Sequence, residues 1–209
     1  MFVRHKNTLC ASALILFSAA AATADTWPRN VGEMVHLQVS FDGTAVSITQ
    51  PVEQNLELRN FSESYTPPAD VLDNKGYNDQ YGWMASGFWD LPAGSSVWIR
   101  VLNQTAGLET YEGGMRSMTP MHTYSPIFGT QGSPDIWQWD GTMTHNWYAA
   151  SDPGTYQATY SVYIGDDQGT PINGLDSDSI TISWQYVPSP ATAPFLAFSL
   201  LLVSRRRSG

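Results

Sequence analysis

Between residues 35 and 186 the apolar positions recur with a period of two, and no stretch keeps the 3.6-residue spacing of an amphipathic helix. Val35, Leu37, Val39 and Phe41 share one face of a first strand, and Asp42-Gly43 turns the chain back into Val46 and Ile48 as a tight hairpin. Leu56 and Leu58 alternate with Glu57 and Arg59 in the next strand. Residues 62–80 are polar, contain Pro67-Pro68 and Asn74-Lys75-Gly76, and read as a long loop. Strands are expected again over 83–89 and 97–102, parted by Pro92-Ala93-Gly94.

The last third alternates most regularly. Asp140-Gly141 separates 136–139 from 142–148 and has the composition of a two-residue hairpin loop, so these segments are expected to pair with each other. Tyr156, Ala158, Tyr160, Val162 and Ile164 then share one face of a long strand, and Ile180, Ile182, Trp184 and Tyr186 share one face of the last. Many short strands with turn signals between them predict an all-β, immunoglobulin-like antiparallel β-sandwich. Asp152-Pro153-Gly154-Thr155-Tyr156 resembles the tyrosine corner that opens the sixth strand of such sandwiches, with Ala158 where antibody domains place a cysteine. Asp-Pro-Gly is also a general turn sequence, and under that reading the all-β assignment is unchanged.

Both ends carry addresses. Arg4, His5 and Lys6 precede an apolar run over 9–22, and Ala22-Thr23-Ala24 supplies the small-x-small site that signal peptidase cuts. Residues 1–24 are therefore expected to form a signal helix that is removed. At the other end, Val187-Pro188-Ser189-Pro190 leads into an apolar segment over 191–203 and the cluster Arg205, Arg206 and Arg207. This tripartite layout over 187–209 resembles the PEP-CTERM sorting tail of exported bacterial proteins, with Ser189 where the family motif has glutamate. The resemblance implies a short hydrophobic sorting helix, contact with the membrane and handling by an exosortase-type enzyme. A plain C-terminal anchor with its arginines on the cytoplasmic side gives the same topology. The two readings differ in whether the domain is released to the cell surface and extracellular matrix or kept at the membrane.

The remaining 25–186 is one domain by length. Without the basic residues of the two end segments it holds five basic residues against all 19 acidic ones, a net charge of −14. Such a surface repels nucleic acid, which excludes it as a partner. The only cysteine, Cys10, lies in the signal segment, so no disulfide braces the domain. All eight tryptophans fall within it, and aromatic packing is expected to take the place of cross-links.

Candidate chemistry is sparse. The chain has no Gly-x-Ser-x-Gly, no His-Glu-x-x-His and no phosphate-cradling glycine loop, which points to a non-catalytic structural or binding module. Residues 145–164, with His145-Asn146-Trp147 and Pro153-Gly154-Thr155-Tyr156, resemble the repeat of bacterial surface-anchored wall proteins, which implies the same kind of role. Met115, Met118, Met121, His122, Met143 and His145 gather the thioether and imidazole donors that copper selects, with His36 joining if folding brings it near. The same methionines also serve as ordinary packing residues, and Arg116 sits among them. Trp137 and Trp139 share a strand face that is either core or a platform for an extracellular polysaccharide. Asp166, Asp167, Asp176 and Asp178 lie between the two most regular strands and suit a structural calcium ion.

Overall fold

The alternation that turns Val35, Leu37, Val39 and Phe41 inward builds strand β1 (Val35–Phe41), whose intervening residues are only half-buried. A computed structural model describes residues 25–50, 55–87 and 89–187. The signal segment with Ala22 and Ala24, and the tail from Pro188 through Ser189, Pro190, Arg205, Arg206 and Arg207, lie outside the described residues. Strand β1 pairs antiparallel with β2 (Val46–Thr49), as the Asp42-Gly43 signal predicts. The Asp42 carboxylate closes that turn by accepting from the amides of Thr44 and Ala45, both at 2.8 Å.

The other strands are β3 (Asn55–Leu58), β4 (Gly76–Asn78), β5 (Tyr81–Ala85), β6 (Ser96–Gln104), β7 (Glu109–Gly114), β8 (Pro126–Ile127), β9 (Ile136–Trp139), β10 (Thr144–Ala150), β11 (Gly154–Gly165) and β12 (Asp178–Tyr186). They form two sheets. One runs β2-β1-β5-β10-β7-β8, with β4 also on β10, and the other runs β3-β12-β11-β6-β9.

Four expectations are corrected. Both sheets are mixed, because β1 lies parallel to β5 and β12 parallel to β3, so the sandwich is not purely antiparallel. The hairpin expected at Asp140-Gly141 is a corner between sheets: β9 pairs with β6, while β10 joins the other sheet. The turn itself forms, with Asp140 accepting from the amide and hydroxyl of Thr142, but alternation in each strand is satisfied by either choice of neighbour. Finally, the strand expected over 83–89 ends at Ala85, and the loop expected over 62–80 contains a 3-10 turn, Ala69–Leu72, and β4.

The sheets face each other through large rings. Trp184 packs on Tyr148 and Tyr81 with centroids 4.5 and 5.5 Å apart, and Trp83 meets Tyr160 at 5.8 Å. A buried ring of this size removes on the order of 150–250 Å² from water, roughly 4–6 kcal/mol of transfer free energy. A second apolar cluster, which includes Val31, Leu72, Tyr77, Tyr111, Tyr124 and Trp147, lies on the opposite face of the larger sheet. Segments that precede β1, follow β3 and follow β7 fold over that face. Strand β10 is consequently buried at every position, which leaves its sequence without a polar side.

Candidate functional site

The covered outer face of the larger sheet carries the chemistry. Parallel pairing of β1 with β5 puts His36 opposite Gly82, and antiparallel pairing of β5 with β10 puts Gly82 opposite His145. The row continues to Gly114 on β7. Glycine at 82 is a steric requirement, since a Cβ there would lie 2.4 Å from the His145 ring. A Cβ on Gly114 would approach the His122 ring to 3.0 Å. The two glycines thus form troughs in which imidazoles lie flat against the sheet.

His145 has no exposed surface, and its Nδ1 donates to the Asp79 carbonyl at 2.8 Å. A carbonyl only accepts, so Nδ1 carries the proton and Nε2 holds the lone pair. That Nε2 is buried and has no hydrogen-bond partner among the described residues, and the same is true of His36 Nε2. The two rings stand edge to face with centroids 5.7 Å apart. Burial pulls the His145 pKa down to about 4, which keeps the imidazole neutral at physiological pH.

His122 is used differently. The Trp147 indole donates to its Nδ1 at 2.9 Å, so Nε2 carries the proton and donates to the Met115 carbonyl at 3.0 Å. Burial lowers its pKa as well. Both nitrogens are engaged, which corrects the expectation that His122 serves as a metal ligand.

Asp79 and Arg116 anchor this face. The guanidinium grips the carboxylate through two bonds of 2.7 and 3.0 Å, and donates also to the carbonyls of Val31 and Gly32. Asp79 accepts the Val31 amide at 2.8 Å. The charge that sequence reasoning counted against a cation site is therefore neutralised by a buried partner. Of the methionines, Met115 and Met143 line one surface cavity of about 270 Å³, together with Met34 and Arg116. Met118 and Met121 are exposed on the 3-10 segment Arg116–Met121 and do not line it, so the expected six-residue donor set does not assemble.

The tryptophan platform is corrected too. Trp139 is only 1% exposed, packs on Trp89 and donates to the Thr142 carbonyl. Trp137 leans on Phe128 and the same core and donates to Glu112. Both side chains face the interior between the sheets. The acidic loop is likewise spent locally: Asp166 accepts the amides of Gln168 and Thr170, and Asp178 those of Ile48 and Ser179. Asp167 is exposed. Among the described residues, no three of His, Cys, Asp and Glu group so as to hold a metal ion, which leaves the calcium expectation without a site there.

Sequence reasoning missed Asp79 and Gly82 because their importance depends on pairing across three strands. The one available signal was a histidine on the polar side of β1. No protein-family model, curated protein or solved structure matches the chain.

Proposed function

We propose that the protein is an exported, non-catalytic module of the cell surface or extracellular matrix, built on an immunoglobulin-like sandwich and delivered by its two end segments. One observation carries the reading of the body as a structural or binding unit. Asp79, Arg116 and His122 are committed to the fold: each bonds to neighbouring backbone or side chains on a covered sheet face. The immunoglobulin-like assignment draws on the smaller sheet. There β11 lies between β12 and β6, and the Tyr156 hydroxyl donates to the Asp152 carbonyl at 2.6 Å, the bond of a tyrosine corner. Ala158, two residues on, faces the core.

Export is tested on the full chain in a bacterial host that carries an exosortase-type enzyme. The expected products are an N-terminus created after Ala24 and a chain shortened near Val187, recovered outside the inner membrane. Replacing Arg205, Arg206 and Arg207 with alanine should leave the tail uncut. A full-length chain retained in the cytoplasm in both cases would overturn the proposal.

A further inference from the structure

We infer that His36 and His145 form a binding site for a soft monovalent cation of the Cu(I) class, with Met34 and Met143, each two residues from one of the histidines, as thioether donors flanking it. This goes beyond the surface-module reading and stands without it.

Imidazole nitrogens are rarely left buried and unpartnered side by side, because a buried polar atom without a partner gives up its hydration for nothing in return. Here both Nε2 atoms are in that state on neighbouring rings. A metal bound to two imidazoles at about 2.0–2.1 Å separates their centroids by roughly 5–6.5 Å for bond angles from tetrahedral to linear. The observed 5.7 Å falls in that interval. The His145 Nε2 lies over Gly82, the residue in register with His36, so its lone pair sits on the side of the partner ring.

The second observation is the support behind His145. Metal-binding histidines almost always donate their other ring nitrogen to a carboxylate or backbone carbonyl, which fixes the tautomer and raises basicity. The bond from His145 Nδ1 to the Asp79 carbonyl does this, and Asp79 is itself held by Arg116. His122, with both nitrogens engaged, lacks such a free donor.

Charge selects the ion class. His145 is a neutral donor, and the carboxylate beside it, Asp79, is already neutralised by Arg116. A divalent ion would bring an uncompensated charge into a buried site, whereas a monovalent one brings half of it. Thioethers point the same way, since they favour Cu(I) over Zn(II). Met34 lies two residues before His36, Met143 two before His145, and both line the 270 Å³ cavity. Binding changes no oxidation state, and at neutral pH His145 takes the ion without releasing a proton.

The test is an anaerobic titration of the full-length chain in mild detergent with Cu(I) held by bicinchoninate, repeated with Ag(I). The wild-type chain is expected to withdraw one equivalent. His145→Asn keeps an N–H aimed at the Asp79 carbonyl but removes Nε2, and His36→Gln alters a half-buried ring. Each should weaken binding at least ~100-fold while keeping the thermal transition. Met118→Leu with Met121→Leu should leave it unchanged. No withdrawal by the wild-type chain, or loss in the Met118/Met121 variant with retention in His36→Gln, overturns the site. Neither result bears on export, which is read from location and cleavage.

Discussion

The two faces of the seven-stranded sheet solve the problem of burial in different ways. Its inner face meets the second sheet through rings such as Trp83, Tyr81 and Tyr148 against Tyr160 and Trp184, where contact area sets the energy. Its outer face buries charge and imidazole under loops, where each group depends on a named partner: Asp79 on Arg116, Trp147 on His122, Tyr77 on Tyr65. Apolar packing tolerates conservative exchange, because area is shared among many neighbours. A buried polar network does not, because removing one member strands another. The outer face is therefore the one expected to respond most sharply to the loss of a single polar partner.

Substitutions should separate the faces. Trp184→Ala, in the inner cluster, is expected to cost the most, about 5 kcal/mol in denaturant unfolding, with little dependence on salt or pH. Asp79→Ala should cost about 3–4 kcal/mol, since it leaves Arg116 buried without its counter-charge. The double variant Asp79→Ala, Arg116→Met should recover part of that loss. Equal loss in the single and double variants would mean that the pair acts through the Val31 and Gly32 carbonyls instead.

Acid should act first on the outer face. The folded-state pKa of His145 lies below its unfolded value, so the unfolded chain takes up the proton first and stability falls as pH drops from about 6.5 to about 4. The contribution is on the order of 3 kcal/mol, and His145→Asn should flatten that part of the profile. The smallest effect belongs to the smaller sheet: Tyr156→Phe removes the hydroxyl bond to Asp152 and should cost about 1 kcal/mol at any pH below the tyrosine range. A loss several times larger would show that the corner organises the crossing between sheets.

Much of the strand inventory was legible because a half-buried strand writes its burial directly into alternation. Strands β1, β11 and β12 follow that rule. The Glu-Thr-Tyr-Glu-Gly-Gly sequence of β7 was not legible: only Thr110 and Tyr111 are fully buried, its acidic residues bond to Lys75, Thr123 and Trp137, and its glycines make room for His122 and the β10 backbone. The candidate site was half legible. His145 and Met143 were singled out from their donor chemistry. His122 was chosen for the same reason and proved to be occupied, because an imidazole's availability depends on what faces each nitrogen.

By itself the sequence determined that this domain is β-rich, acidic, free of cysteine, packed on aromatic rings and turned at Asp42-Gly43 and before Tyr156. These are local or compositional properties, set by side-chain period, charge and backbone preference over a few residues. Only the tertiary structure decided that Asp140-Gly141 divides two sheets, that Trp137 and Trp139 face inward, and that His36 and His145 meet across Gly82. Those facts depend on which strands become neighbours and in what register. Pairing energy between segments tens of residues apart leaves no periodic trace in either one.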